Sequence, residues 1–333
     1  MMRKTGVSLI IQVVVLLFLI SCNFNSSGGC RTNREVIVFH AGSLTLPMHE
    51  IADAFEKENP GIKIMMEAAG SRECARKITE LKKPCDIIAV ADYFVIESML
   101  MPNYANWLVQ FAGNSMCIAF TEKSRFGQDM DPSNWHEILL NDSVYFGRSD
   151  PDSDPCGYRT IHTIKLAEKH YDLPGLANQF INKDQRFIRP KETDLLPLLE
   201  SHAIDYIFIY LSVALQHQLN YLILPPEINL GDARFNSLYE TVGIELSGMS
   251  PGETIYQKGE AMVYGVSMPF NPPNETDALR FISFLLNPEK GLTILEKNGQ
   301  PVYKPALSEY FDNLPEVIKP WVAISQMQDP EVE

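Results

Sequence analysis

The chain alternates short apolar runs with amphipathic stretches, and the alternation predicts its elements. Glu35-Val-Ile-Val-Phe-His40 is a buried-strand run, and Ala41-Gly42-Ser43-Leu44 is the turn after it. From Pro47 to Lys57 the apolar residues Met48, Ile51, Ala52 and Phe55 recur at helical spacing. That pattern predicts a helix, and Asn59-Pro60-Gly61 stops it. Ile62–Met66 reads as a second strand, Ala68-Ala69-Gly70-Ser71 as a second Gly-Ser turn, and Arg72–Lys83 as a second helix. Cys85–Val90 is a third strand and Phe94–Met101 a third helix. This rhythm predicts an α/β domain with a parallel sheet.

Asn114–Phe120 is a long apolar strand that reads as a crossing into a second domain. There, helices are predicted over Ser133–Leu140, Tyr158–Tyr171, Leu176–Asn182 and Leu195–His202, with a short one ending near Gln218. Strands are predicted at Val144–Gly147, Tyr206–Ile209 and Tyr221–Leu224, and Arg186–Arg189 is extended. Ala261–Met268 is a second long apolar strand, read as the return crossing, before helices Glu275–Leu286 and Pro288–Asn298. One lobe is therefore expected from residues 34–115 and 267–328, and the other from 116–266. Two lobes joined by two strands make a hinge, with a ligand expected in the cleft.

Three loops carry candidate chemistry. Gly42-Ser43 and Gly70-Ser71 each place a glycine and a hydroxyl where a strand ends and a helix begins. In open α/β sheets ligands lie at those ends. The third runs from Arg148 to Arg159 and is dense in Asp, Ser, Pro and Gly. Asp154 stands at an N-cap with Pro155 at the first helical position, where its missing N–H costs nothing. A helix start offers unpaired N–H groups and a partial positive charge, a ready anion site. Singly, each loop also fits an ordinary turn or cap. No Gly-x-Gly-x-x-Gly or Gly-Lys-[Ser/Thr] motif is present, so nucleotide folds are not indicated.

The net charge of −14 argues against a nucleic-acid partner or an anionic membrane surface. Any anion must be held by local N–H groups and hydroxyls. Met1-Met-Arg-Lys4 followed by the apolar run Val7–Ile20 has the form of a signal peptide, here residues 1–21. Leu19-Ile20-Ser21-Cys22 resembles the lipobox of bacterial lipoproteins, which implies lipidation of Cys22 and an extracytoplasmic protein anchored to a membrane. Residues 22–33 then form a flexible tether. The other cysteines (Cys30, Cys74, Cys85, Cys117, Cys156) are odd in number and lack metal-binding spacing. The seven histidines show no ligand spacing either, and His40, beside a candidate loop, reads as a buried structural residue. No constellation of an enzyme is found.

From Val36 to about Trp321 the chain resembles the solute-binding proteins of molybdate/tungstate ABC transporters, the archaeal-type branch of the class II periplasmic binding proteins. The stretches that carry the resemblance are Phe39-His-Ala-Gly-Ser-Leu44, Glu67-Ala-Ala-Gly-Ser71, Ala89-Val-Ala-Asp-Tyr93, Ala105-Asn-Trp107, Asp154-Pro-Cys-Gly-Tyr-Arg159, Arg189-Pro-Lys-Glu-Thr-Asp194 and Phe208-Ile-Tyr-Leu-Ser-Val-Ala214. The resemblance implies a two-lobed α/β fold, each lobe a mixed, mostly parallel sheet flanked by helices. It implies a tungstate or molybdate dianion in the cleft, no cofactor, a monomer, and delivery to ABC permease subunits. By motif position, Ser43 and Ser71 hold the oxyanion, Asp154 and Glu192 bond its metal, and Tyr210 donates its hydroxyl. Leu211 stands where a basic residue is expected, at the periphery of that site.

Carboxylates beside a dianion held only by hydrogen bonds would be repulsive. They fit a high-valent metal centre, because hard metals prefer oxygen donors. Tungsten and molybdenum expand from four to six ligands, whereas sulfur and phosphorus do not do so readily. Glu192 also fits the ordinary acidic residue of a helix first turn. The other functional reading is a binding protein for another small anion: sulfate, phosphate or a carboxylate.

Overall fold

The computed structural model describes residues 34–183, 185–248 and 252–325. The expected signal segment (1–21), Cys22 and the tether (22–33) lie outside them. Strand β1 (Arg34–Ala41) passes through a 3-10 turn, Gly42–Leu44, into helix α1 (Thr45–Glu58). Then β2 (Ile62–Ala69) leads into α2 (Ser71–Thr79), and β3 (Ile87–Val90) into α3 (Phe94–Met99). Next come β4 (Val109–Gly113), β5 (Met116–Phe120), α4 (Trp135–Leu140), β6 (Phe146–Ser149), α5 (Pro155–His170) and α6 (Leu176–Asn182). A two-residue strand β7 (Ile188–Arg189), a 3-10 turn over Glu192–Leu195 and α7 (Leu196–Glu200) precede β8 (Tyr206–Tyr210), α8 (Leu211–Gln216) and β9 (Asn220–Ile223). The chain closes with α9 (Asn236–Tyr239), the hairpin β10 (Gly243–Ser247) and β11 (Thr254–Lys258), β12 (Val263–Ser267), α10 (Glu275–Leu286), α11 (Gly291–Lys297), β13 (Val302–Ser308) and β14 (Val322–Ile324).

Two mixed sheets organise these elements. The larger has the order β14-β13-β4-β12-β3-β1-β2 and the smaller β7-β6-β8-β5-β9. Parallel pairing joins β2–β1–β3 and β13–β14 in the first sheet and β7–β6–β8 in the second. Strands β12, β4 and β5 run antiparallel to their neighbours, so parallel pairing does not predominate as expected. The reason is topological: a chain that leaves one sheet and later returns to it brings strands back against the direction of the βαβ units. Val263–Val266, on the inserted side of the expected boundary, pair within the larger sheet.

Helix positions follow the apolar pattern closely. Met48, Ile51, Ala52 and Phe55 of α1 are all buried, and Phe55 meets Phe281 and Phe284 of α10 edge-on at 5.2 and 5.6 Å. Strands β4, β13 and β14 and the β10–β11 hairpin are not apparent in the sequence. Their residues, such as Gln110 in β4 and Lys304 and Pro305 in β13, interrupt any apolar run, and their edges are defined only by partners distant in sequence. For the same reason β6 lies two residues later than expected, because Arg148 and Ser149 pair with Ile188 and Arg189 of β7.

The smaller sheet packs around one aromatic cluster. Trp135 is fully buried, with its ring 5.4 Å from Phe180 and 6.0 Å from Phe208. Trp135→Ala should lower unfolding free energy by about 3–5 kcal/mol, the cost of removing a large buried aromatic. Urea denaturation checks this, and a loss below about 1 kcal/mol would mean that the cluster repacks.

Candidate functional site

All the site loops begin at the carboxyl ends of parallel strands. Gly42-Ser43 follows β1, and Gly70-Ser71 follows β2. In the smaller sheet the loop ending at Asp154 follows β6, Glu192 follows β7, and Tyr210 is the last residue of β8. Gly70, Asp154 and Tyr210 cap the starts of α2, α5 and α8, so three positive helix ends turn toward the junction of the sheets.

The structure brings the five expected residues together, all buried. Asp154 is fixed by backbone donors: Cys156 N–H reaches Oδ1 at 3.4 Å, and Glu192 N–H reaches Oδ2 at 3.0 Å. Both carboxylate oxygens of Glu192 and the hydroxyl of Tyr210 are buried without a hydrogen-bond partner among the described residues. Burial raises the pKa of Asp154, and burial together with the charge of Asp154 pushes Glu192 well above the usual carboxylate range. Burial also holds Tyr210 in its protonated, donating form.

Two glycines permit this approach. A Cβ on Gly42 would lie 3.0 Å from either carboxylate oxygen of Glu192 and 2.9 Å from Thr193 Oγ1. A Cβ on Gly70 would lie 2.3 Å from the carbonyl oxygen of Ser153. The glycines of the two Gly-Ser turns therefore admit the loops of the other sheet. Beside them opens a cavity of about 450 Å³, bordered by Gly42, Thr45, His49, Lys191, Thr193 and His217. Two basic types there, Lys191 and the histidines, contrast with the net charge of −14.

The serines are held from behind. Ser71 Oγ accepts from Ala91 N–H at 3.0 Å, and Ser43 Oγ accepts from the Tyr264 hydroxyl at 2.9 Å. Gln300 Nε2 donates to the Ser43 carbonyl at 3.1 Å. His40 is buried with Nδ1 2.8 Å from the Ala41 carbonyl, and burial lowers its pKa to about 4, in keeping with a neutral structural role. Cys74, Cys85, Cys117 and Cys156 are buried and unpaired.

Sequence reading missed a second buried cluster between the sheets. Arg159 of α5 pairs with Asp92, after β3, at 2.7 Å, with side chains 1% and 0% exposed. Tyr158 also donates to Asp92, and Arg159 donates to the Glu260 carbonyl at 3.0 Å. Tyr93 donates to the Glu260 side chain at 3.2 Å. Both Asp92 and Arg159 stood in the quoted motifs, and a buried arginine demands a carboxylate. Their partnership across 67 residues was the part that sequence did not show.

An α/β chain with two sheets and a junction site built from strand ends has the two-lobed class II periplasmic-binding-protein fold. Residues 36–300 match the model of the bacterial extracellular solute-binding protein family, and the chain belongs to that family. It is similar to the molybdate/tungstate-binding protein WtpA of Pyrococcus abyssi, at 41% identity over 97% of this chain and 100% of the relative. It is 45% identical to an uncharacterized solute-binding protein of Petrotoga mobilis, over 86% of this chain and 89% of the relative. Among solved structures, the periplasmic molybdate-binding protein of Azotobacter vinelandii superposes with a TM-score of 0.58 at 15% identity, over 80% of this chain and 98% of its own. The sulfate-binding protein SubI of Mycobacterium tuberculosis gives 0.59 at 10% identity, over 82% and 88%. At such identities the likeness carries the fold alone. The protein is thus an extracytoplasmic solute-binding protein, and its family serves transport rather than catalysis. Among the described residues no helix is long and apolar enough to cross a membrane.

Gly70 has φ −60° and ψ 143°, which suits alanine, so what resists a side chain there is contact with Ser153 and with the Asp154 Cβ at 3.1 Å. Gly70→Ala adds an overpacking cost of about 1–3 kcal/mol to this closed arrangement. The variant should relieve it by parting the lobes, seen as a larger radius of gyration in X-ray scattering. An unchanged radius would show that the loops give locally instead.

Glu260 supplies a pH prediction. Burial, followed by the charge of Asp92, raises its pKa from 4.5 to about 7. A raised carboxyl pKa stabilises the folded state fully below the unfolded value, and this stability is lost as pH rises through the folded value. Glu260→Gln should therefore match the parent near pH 4.5 and exceed it above pH 7 by about 1–3 kcal/mol. Thermal unfolding across that range checks the sign, and a pH-independent difference would contradict it.

Proposed function

We propose that the protein is the binding component of an ABC importer, capturing tungstate or molybdate between its lobes and delivering it to membrane permease subunits. In this reading Ser43 and Ser71 donate hydrogen bonds to the oxyanion, Tyr210 donates its phenolic hydrogen, and Asp154 and Glu192 bond the metal. The relatives named molybdate/tungstate-binding protein, from Pyrococcus abyssi and Thermococcus kodakarensis, support the ligand class. The observation that carries the reading is the carboxyl pair: Glu192 presents two buried, unpartnered oxygens directly beside Asp154.

Ionising this pair beside a sulfate or phosphate held by hydrogen bonds alone would be unfavourable, since like charges would crowd one dry space. A high-valent metal centre reverses the argument, because the same oxygens become hard donors to it. Selectivity then comes from coordination rather than from ligand charge. The protein works as a monomer, with one lobe from residues 34–115 and, since β12 belongs to the larger sheet, from 263 onward, and the other from the residues between. Cleavage after residue 21 and lipid on Cys22 hold it at the membrane by the tether 22–33. No cofactor takes part.

Isothermal titration of the chain after Cys22 with tungstate, molybdate, sulfate and phosphate tests this. Tungstate and molybdate should bind and the other two should not. Asp154→Ala and Glu192→Ala should each weaken tungstate binding by about 100-fold or more, since even an indirect partner of a metal ligand is worth 10–100-fold. Sulfate or phosphate binding, or variants as tight as the parent, would place the carboxyls outside the ligand shell.

A further inference from the structure

We propose that Tyr264 and Asn114 are positioning residues for the oxyanion: a hydrogen-bond relay from the chain crossing that leaves the Ser43 hydroxyl hydrogen with the ligand as its acceptor. The inference rests on the oxyanion reading of the site and adds residues that the sequence motifs do not contain.

The amide's directions follow from which of its atoms can donate, and the Tyr264 hydroxyl passes its own hydrogen on to Ser43. Asn114 lies between β4 and β5, at the first crossing, and is buried. Its Oδ1 faces two backbone N–H groups, Ser115 at 3.0 Å and Ser212 at 3.3 Å. Those donors require oxygen there, so the amide cannot be turned over. Nδ2 then has two hydrogens to give. One goes to Ser212 Oγ at 2.7 Å and the other to Tyr264 Oη at 2.9 Å. Tyr264 is fully buried in β12, the return strand, and burial raises its pKa so that it keeps its proton. Having accepted from Asn114, its hydroxyl donates to Ser43 Oγ at 2.9 Å.

Ser43 has therefore received a hydrogen bond and still owns its own hydrogen. Ser71 is in the same condition, having accepted from Ala91 N–H. A hydroxyl in this state has its own hydrogen free to donate. Each serine can therefore give its hydrogen to a ligand oxygen, which suits an oxyanion rich in acceptors. The two differ in what loads them: a backbone amide behind Ser71 and a side chain behind Ser43. Only the second can be removed by substitution. Asn114 also reaches Ser212, two residues after Tyr210, so one amide supports elements that bring ligand groups from both sheets.

The test is a pair of double-mutant cycles read by isothermal titration with tungstate. Tyr264→Phe removes one hydroxyl from a buried ring and should weaken binding about 10-fold, the effect of one well-placed hydrogen bond. Combined with Ser43→Ala, it should add no further loss, because the hydroxyl it orients is gone. Combined with Ser71→Ala, the two losses should multiply. A merely structural role would make both cycles behave alike, and that result would overturn the relay. So would unchanged affinity in Tyr264→Phe, or a variant whose thermal unfolding shows that it no longer folds, since the phenol would then serve stability alone. A parent chain that binds no tungstate would instead overturn the oxyanion reading itself, and the relay with it.

Discussion

Two carboxyl groups in one dry space are the constraint on which this molecule turns. Asp154 and Glu192 reach the same point from loops after adjacent strands of the smaller sheet, and a backbone N–H of one residue holds the side chain of the other. Buried carboxylates without a cationic partner are costly, and both groups respond with raised pKa values. A protein that merely needed to be stable would have replaced one of them with an apolar residue. Their place beside the unpartnered Tyr210 hydroxyl is what the proposed ligand site accounts for.

The fold supplies the means of bringing them there. Parallel strands place their carboxyl ends, and the helix starts that follow, on one edge of each sheet. Facing those edges toward one another gathers positive helix ends, loop N–H groups and hydroxyls without adding a net positive charge. That is how a chain with a charge of −14 can offer a local environment for an anion. Glycines at residues 42 and 70 let the edges meet, and the buried Asp92–Arg159 pair also joins them. The pair is almost wholly removed from solvent, where attraction between opposite charges is stronger than at the surface.

Hydrogen-bond direction adds a second level of order. The site serines are not simply hydroxyls near a cleft; each is loaded from behind by a donor that belongs to the scaffold. Positioning of this kind keeps the two hydroxyls on rigid elements, where their rotamers are set by neighbours. Placing the relay at the two crossing strands also lets a single buried amide touch the support of groups from both sheets.

Much of this was legible in the sequence, for identifiable reasons. Local rules decided α1, with its Met48, Ile51 and Phe55 stripe, and the Asp154-Pro155 start of α5, which occurs as predicted. Glu192 and Tyr210 entered through the family resemblance, whereas Ser43, Ser71 and Asp154 could be singled out because each sits at an element boundary that its own neighbours specify. Strands β4, β13 and β14 could not, because an edge or interrupted strand is defined by what pairs with it. The same limit hid Tyr264, an unremarked ring in the apolar run Ala261–Met268, and the pairing of Arg159 with Asp92. The sequence by itself determined which elements form and which side chains stand at their ends, since periodicity, caps and turns act over a few residues. Only the tertiary structure decided which of those ends face one another, which carboxyls lose their water, and which hydroxyls have a hydrogen left to give, because burial and hydrogen-bond partnership depend on atoms far apart in the chain.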